Sequence, residues 1–316
     1  MEVINMQTKA VVMNDYGDSS VLEEKEVLVP DLKSSEVLIE VLGTSVSPFD
    51  IGMRRGDFRE RMPIQLPAVL GTDAVGRIVK KGSAVTDFQV GEIVLGIVGN
   101  TSLGAYAELA ILDAHTIARL PQDVALDQGT VTMVGVPAYL ALFDNGQLQA
   151  GQSVLVHGGA GGVGSLAIQL AKQAGATVYT TANPKDESRL KALGADKVID
   201  YHTDFRDAVA DLDLVIDTVG GEVLRHSFDV VKPGGRLVTL VEHLENDVTA
   251  QYPQVQAQFL SAQGTGTLAK ILAMMAAGKL RVPIQKVFPL SRDGVADAQD
   301  YLEKNHVFGR VAILKE

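Results

Sequence analysis

The sequence predicts an α/β protein: a central doubly wound parallel sheet, preceded by a β-rich domain to which the C-terminal tail returns. Three observations carry that expectation. The middle of the chain alternates short β-branched runs with helix-like segments. The first third instead holds many short strand-like runs punctuated by glycine. Between them, Val154-Leu155-Val156-His157 runs straight into Gly158-Gly159-Ala160-Gly161-Gly162-Val163-Gly164, which reads as a buried strand, a tight turn and the first turn of a helix.

In the first third, strand-like runs fall at 10–13, 74–79, 93–98 and 105–111, and Val37, Ile39 and Val41 alternate with Leu38, Glu40 and Leu42. Gly71, Gly76, Gly82, Gly91, Gly96 and Gly104 separate these runs, so a compact antiparallel barrel or sandwich is expected. Farther on, strands are expected at 154–156, 177–181, 198–200, 214–217 and 236–240, with helices between them. The first of these helices, 165–174, puts Val163, Leu166, Ala167, Leu170 and Ala174 on one face and stops at Gly175. Lys232-Pro233-Gly234-Gly235 is expected to stop the fourth. One more helix is expected at 268–277, then a short helix at 295–302 and a strand at 310–314. The expected division is 1–124, 125–282 and 283–316, the last segment rejoining the first.

Within the glycine run, Gly159, Gly161 and Gly164 have the G-x-G-x-x-G spacing of a nicotinamide or flavin dinucleotide site. The first allows the tight turn, the second leaves no side chain between backbone and pyrophosphate, and the third lets helix and strand pack closely. The pyrophosphate would face free N–H groups at the positive end of the helix. Ala160, Gly162 and Val163 complete the cradle.

Bulk properties narrow the alternatives. A chain of 316 residues suits about two domains at ~150 residues each. With 46% hydrophobic and 21% charged residues, the composition is that of an ordinary globular protein. A net charge of −11 with no basic cluster argues against nucleic acid as a partner. The absence of cysteine rules out disulfides, thiolate ligands and a cysteine nucleophile, and suits the cytoplasm. Residues 1–20 carry Glu2, Lys9, Asp15 and Asp18 and lack the apolar core of a secretory signal. No apolar run is long enough to span a bilayer, so no membrane association is expected.

Several segments together resemble the medium-chain dehydrogenase/reductase superfamily, in its zinc-free quinone oxidoreductase (zeta-crystallin-like) branch. They are Ser47-Pro48-Phe49-Asp50 with Arg54-Arg55-Gly56, Gly71-Thr72-Asp73-Ala74-Val75-Gly76, Gly104-Ala105-Tyr106-Ala107-Glu108 and Ala138-Tyr139-Leu140-Ala141-Leu142. After the glycine turn come Leu193-Gly194-Ala195-Asp196, Ile199-Asp200-Tyr201, Asp217-Thr218-Val219-Gly220 and Gly309-Arg310-Val311. The resemblance spans essentially the whole chain. It implies an N-terminal catalytic GroES-like barrel, a Rossmann cofactor domain, an active site in the cleft between them, and pairing of two copies through an edge strand, for which 236–241 is the candidate.

Zinc-dependent members of the superfamily bind catalytic zinc through a Cys, a His and a third ligand; the first two positions fall at Ser47 and Thr72, neither a normal zinc ligand. The six histidines (His115, His157, His202, His226, His243, His306) show no i, i+4 pairing and read as surface or loop residues. No metal is therefore expected. Without a Lewis acid, electron-poor acceptors such as quinones, enones and enals are favoured over simple ketones. A NAD site places a carboxylate at the end of the second strand; counting puts Thr181 there. Asn183 and Lys185 follow, and the resemblance adds Tyr201, so NADPH is expected rather than NADH. Lys185 read alone is a solvated charge beside Asp186 and Glu187. The resemblance also places Val219, Val241, Gly309 and Arg310 near the cofactor, although Arg310 equally suits a surface charge closing the last strand.

For chemistry, Ser47 is a candidate hydrogen-bond donor to the substrate oxygen, and Asp50 a candidate with a structural alternative. Tyr139 is a further candidate against a plain core role. Relatives often carry Tyr or Lys where Gly52 stands and Thr where Pro137 stands, which leaves the proton donor open. The leading expectation is an NADPH-dependent, metal-free reductase of a quinone or α,β-unsaturated carbonyl, acting as a homodimer on a small electron acceptor. Alternatives are a zinc-independent carbonyl reductase of the alcohol dehydrogenase type, an NADPH-binding sensor or structural protein without turnover, and a flavin-binding protein.

Overall fold

The computed structural model describes residues 6–99, 103–244, 246–261 and 266–316; residues 1–5 of the N-terminal stretch considered above lie outside it. The chain divides into two compact units, Met1–Met133 with Ile284–Glu316, and Val134–Pro283.

In the first unit β1 (Gln7–Met13) pairs antiparallel with β2 (Leu22–Leu28). The long β3 (Glu36–Val46) leads into a short helix, α1 (Pro48–Arg55), and then β4 (Ala68–Val69), which pairs with β1. β5 (Asp73–Lys81), β6 (Ile93–Ile97), β7 (Leu109–Asp113) and β8 (Ala118–Arg119) follow. β3 pairs antiparallel with both β5 and β7, β5 pairs with β6, and a Val98–Leu112 bridge joins the end of β6 to β7, so the ladder closes on itself. Val37, Ile39 and Val41 of β3 share its interior with Ile78, Val94 and Leu112, as the period-2 pattern requires. The strand expected at 105–111 starts later. Gly104, Ala105 and Tyr106 give their N–H groups to the carbonyls of Val69, Gly71 and Leu70, and so belong to a loop pairing rather than a ladder. Residues 125–133, expected in the second domain, stay with the first unit: a Cβ on Gly129 would lie 2.9 Å from the Val75 side chain.

The second unit opens in α2 (Thr132–Tyr139), which continues as a π-helical turn, Leu140–Asn145. Then come β9 (Ser153–His157), α3 (Gly162–Gln173), β10 (Thr177–Ala182), α4 (Glu187–Leu193), β11 (Lys197–Asp200), β12 (Leu212–Asp217) and α5 (Gly221–Ser227). β13 (Val231–Thr239), α6 (Asn246–Gln251), β14 (Gln256–Phe259) and α7 (Thr267–Ala276) complete it. The six strands are parallel in the order β11-β10-β9-β12-β13-β14. Counted from β9 this is the 3-2-1-4-5-6 order of a doubly wound sheet, whose ligand crevice lies beyond the carboxyl ends of the strands where the order reverses. That switch point falls between β9 and β12.

Two expectations are corrected here. Lys232-Pro233-Gly234-Gly235 does not stop a helix but lies inside β13, after α5 has ended at Ser227. Gly234 has φ +80°, its N–H donates to the Gln254 carbonyl, and the β12–β13 register shifts beside it, so these residues form a bulge. Residues 236–241, offered as the edge for pairing of two copies, lie instead between β12 and β14; the edges of this sheet are β11 and β14. A further adjustment concerns α3, which is buried nearly all round from Gly164 to Ala171, while Ala174 serves as its half-buried end cap.

The tail adds β15 (Ile284–Pro289), α8 (Arg292–Lys304) and β16 (Arg310–Leu314) to the first unit. β16 pairs antiparallel with β3 and parallel with β15. The Ser291 side chain caps α8 by accepting from the Gly294 N–H at 3.1 Å. Val295 and Ala298 of α8 pack with Val12, Met13 and Leu22.

Candidate functional site

The sharp turn after β9 begins at Gly158, whose φ of +72° is a left-handed conformation that glycine adopts without strain. Its N–H donates to Thr181 Oγ1 at 3.3 Å, and the next, from Gly159, donates to the Thr181 carbonyl at 3.1 Å. The three motif glycines then differ sharply. A Cβ on Gly159 would sit 2.0 Å from Thr180 Oγ1, and one on Gly164 would sit 2.3 Å from the Gly158 carbonyl oxygen. Both positions are closed by packing. A Cβ on Gly161 would meet only the Gly158 oxygen, at 3.4 Å; this glycine is exposed and faces open space. No side chain caps α3. Its first bond runs from Ser165 N–H to the Gly161 carbonyl, leaving Gly162, Val163 and Gly164 as first-turn donors without an intrahelical acceptor. Ala160 is buried beneath them. The arrangement leaves room and free N–H donors for an anion at a helix N-terminus.

Beside it, Asp217 ends β12 fully buried. Its carboxylate accepts the N–H groups of Val219 and Gly220, each at 3.0 Å, and the Thr239 hydroxyl at 2.8 Å. That clamp holds Val219 outward; Val219 and Val241 are about half exposed, at 52% and 49%, unusual for valine. Val219 flanks Gly158 and Val241 flanks Gly220. At the carboxyl end of β10, Asn183 accepts from the Lys185 N–H at 3.1 Å and donates to the Tyr201 hydroxyl at 3.3 Å. The Tyr201 ring, itself half exposed, lies 4.3 Å from that of His202. His202 bonds Asp200 at 2.7 Å and, with its backbone N–H, holds that carboxyl below the usual range. Asp186 is buried 3.8 Å from Arg189, and Glu187 pairs with Lys191 at 2.7 Å, so neither neighbouring acid is paired with the exposed Lys185.

Thr181 stands differently from the expectation. It is inside β10, level with His157, and its hydroxyl faces His157 Nδ1 at 3.0 Å. The residue that emerges at the strand end is Asn183. His157 is also corrected: it is no surface or loop histidine but lies fully buried on β9. Burial pushes its pKa down to about 3. Neither His157, His202 nor Asp217 was singled out as a site residue from sequence. Only Asp217 carried a signal, as the first residue of the Asp217-Thr218-Val219-Gly220 segment.

In the first unit, Ser47 caps α1 in a capping box with Asp50. The Ser47 hydroxyl donates to Asp50 Oδ2 at 2.5 Å, and Thr72 Oγ1 donates to Asp50 Oδ1 at 2.7 Å. Burial raises the Asp50 pKa against these bonds. Both hydroxyls are thus committed to Asp50. At Gly52 a Cβ would lie 2.5 Å from the Phe58 ring, so the ring occupies the space a longer side chain would need. Gly309, with φ +82°, turns the chain into β16. Arg310 is not a surface charge: it is 5% exposed, pairs with Asp73 at 2.9 Å and donates to the Ser45 hydroxyl. Its guanidinium is held inside the first unit. Tyr139, in the second unit, is half-buried between Phe143 (ring centroids 4.7 Å apart) and the Lys270 ammonium, 5.3 Å from its ring.

Comparison with known proteins gives the family. Residues 33–122 match the family described as alcohol dehydrogenase GroES-like domain, and 193–313 the one described as zinc-binding dehydrogenase. The chain is 33% identical over 324 residues to the NADPH-dependent alkenal/one oxidoreductase, chloroplastic, of Arabidopsis thaliana, covering 98% of this chain and 80% of the relative. It is 34% identical over 321 residues to 2-methylene-furan-3-one reductase of Solanum lycopersicum, with the same coverage, 98% and 80%. Among solved structures it superposes on the quinone oxidoreductase from Coxiella burnetii with a TM-score of 0.89 at 32% identity, over 98% of this chain and 100% of that one. The fold and these likenesses define an oxidoreductase. The chain belongs to the medium-chain dehydrogenase/reductase superfamily, in its zinc-free quinone oxidoreductase branch. The zinc in the second family's description does not fit the side chains at Ser47, Asp50 and Thr72. Two of the three are hydroxyls already donated to the third, whereas zinc takes thiolate, imidazole or carboxylate ligands.

Proposed function

We propose that this protein is an NADPH-dependent reductase of quinones or α,β-unsaturated carbonyls that works without a bound metal, as a homodimer. The observation that carries the reading is the pairing of an open Gly161 with the uncapped first turn of α3. Of the three motif glycines, Gly161 alone leaves its Cβ direction open to a pyrophosphate, because those of Gly159 and Gly164 are filled by packing. Val219 and Val241 offer apolar faces beside that cradle, and their exposure is what a bound dinucleotide would relieve. Asn183, Lys185 and Tyr201 gather at the end of β10, which itself carries no carboxylate to favour an unphosphorylated ribose, and the neighbouring Asp200 is bonded to His202. The name of the Arabidopsis relative, NADPH-dependent, agrees.

When bound, the dihydronicotinamide supplies the hydride. The protein's own residues bind and orient it and exclude water. Acceptors that are already electron-poor suit a site whose Ser47 and Thr72 hydroxyls are committed to Asp50 and offer no Lewis acid. The Ser47–Asp50–Thr72 cluster is assigned a supporting role, with Asp50 holding Thr72 Oγ1 in one orientation. Tyr139 packs under Lys270 and is assigned no proton transfer. Solvent supplies the proton to the enolate or to the hydroquinone monoanion. Gly309 and Arg310 are assigned to the shape of the first unit rather than to cofactor contact. Pairing of two copies is assigned to β14, an edge strand.

The test is oxidation of NADPH by purified protein with a panel of quinones, enals, enones and simple ketones, with and without zinc. Turnover of the conjugated acceptors alone, unchanged by zinc, is expected. Turnover of simple ketones only with zinc, and of none of the conjugated acceptors, would overturn the reading. NADPH that raises Tm but is never oxidised would favour a binding protein instead.

A further inference from the structure

His157 is fully buried immediately before the glycine turn, and its two ring nitrogens face two hydroxyls, Thr181 Oγ1 at 3.0 Å and Ser227 Oγ at 3.1 Å. Giving the Ser227 proton to its shorter contact sets the direction of every other bond. The Ser227 hydroxyl has one proton, and it donates that proton to the Val223 carbonyl at 2.7 Å. Toward His157 Ser227 can therefore only accept, so Nε2 carries a hydrogen. A neutral ring then leaves Nδ1 bare, and Nδ1 accepts from the Thr181 hydroxyl. Thr181 Oγ1 in turn accepts the Gly158 N–H at 3.3 Å. The Phe205 ring, edge-on at 4.6 Å, packs beside the imidazole. The chain runs one way, from Gly158 N–H through Thr181 and His157 to Ser227 and the α5 backbone.

We infer that the Thr181–His157–Ser227 hydrogen-bond chain is the positioning device of the dinucleotide turn, holding the Gly158 peptide so that the N–H groups of Gly162, Val163 and Gly164 converge on one anion. This deepens the NADPH reading and rests on it. Thr181 is the hinge of the device, because its hydroxyl and its carbonyl take the N–H groups of Gly158 and Gly159. The consequence is that Thr181 governs cofactor affinity through the turn rather than through contact with a ribose. Thr218 supports the same point from β12: its hydroxyl donates to the His157 carbonyl at 2.7 Å and lies against Gly158.

The experiment has two arms. The first is 15N-histidine NMR of the unaltered protein without nucleotide, between pH 4.5 and 8. One ring is expected to stay neutral throughout, hydrogen on Nε2 and Nδ1 bare, and to change when Ser227→Ala removes its acceptor. A ring that titrates near neutrality, or carries hydrogen on Nδ1, overturns the proposal whether or not any cofactor binds. The second arm measures NADPH affinity and turnover in Thr181→Val and Thr181→Ser. The valine form leaves Gly158 N–H and Nδ1 unpartnered, and a rise in Kd of roughly tenfold with kcat little changed is expected; serine restores the parent value. Valine binding NADPH as tightly as the parent overturns the proposal. An unaltered protein that binds no NADPH, yet shows the expected histidine, sinks the functional reading and leaves the hydrogen-bond chain standing.

Discussion

Alanine placed separately at Gly161 and at Gly164 divides cofactor binding from folding. At Gly161 the backbone is already extended, φ −74° and ψ 173°, and the new Cβ meets a single atom at 3.4 Å. Alanine is a poorer N-cap than glycine but also restricts the unfolded chain. Each effect is about 0.5–1 kcal/mol and they oppose one another. Stability is therefore expected to stay within about 0.5 kcal/mol of the parent. The methyl group, however, points into the space reserved for pyrophosphate, and NADPH affinity is expected to fall by roughly tenfold or more. At Gly164 the Cβ would lie 2.3 Å from the Gly158 oxygen and 2.8 Å from Gly159 Cα, both backbone atoms. The turn and α3 must part by about 1 Å. Overpacking of that kind costs up to about 3 kcal/mol, against about 1 kcal/mol gained in helix propensity, so a net loss of about 2 kcal/mol is expected. Thermal unfolding without nucleotide, where this amounts to a drop in Tm of roughly 4–8 °C, and fluorescence titration with NADPH read the two quantities independently. A Gly161→Ala protein that is as destabilised as Gly164→Ala, or that binds NADPH like the parent, would refute the division of roles.

Three other perturbations follow from the same geometry. Lys185→Ala is expected to raise the KM for NADPH about tenfold and Tyr201→Phe about threefold, with KM for NADH unmoved; equal effects on both nucleotides would show that neither residue meets the 2′-phosphate. Asp50 has its pKa raised by burial. Its share of folding stability is thus complete below the ordinary carboxylate value and declines as pH rises through the elevated folded-state value. Asp50→Asn is expected to flatten urea-unfolding stability across that window, and an unaltered slope would contradict it. Arg54 is wholly buried, donating to Gln299 at 2.7 Å, Glu303 at 2.9 Å and the Gly17 carbonyl at 3.2 Å. Arg54→Met leaves those acceptors unmatched and is expected to cost about 3–5 kcal/mol in urea unfolding, whereas a loss below about 1 kcal/mol would show a surface-like pair.

Local pattern made much of this molecule legible. The run from Val154 to Gly164 announces strand, turn and helix, because a dinucleotide turn is built from neighbours in sequence. The alternation of Val37, Ile39 and Val41 likewise marks a strand with one face inside. What escaped depends on residues brought together from afar. His157 meets Ser227, seventy positions on, and Thr181, twenty-four positions on, so no window of sequence shows that it is buried and bonded at both nitrogens. Arg310 suits either a cofactor contact or a surface charge closing the last strand when read from sequence, and only the fold shows its pairing with Asp73. Lys232-Pro233-Gly234-Gly235 has the composition of a helix stop, yet the pairing of β13 with β12 turns it into a bulge. β14, Gln256–Phe259, is too short and too polar for period alone to reveal, and its absence made β13 look like an edge.

The most direct test of the central claim is a crystal structure of the protein with NADPH. The pyrophosphate is expected over Gly161, within hydrogen-bond reach of the Gly162, Val163 and Gly164 N–H groups, with the 2′-phosphate beside Asn183, Lys185 and Tyr201. Nucleotide bound elsewhere, with the turn empty, or a zinc ion held at Ser47 and Thr72, would contradict the account.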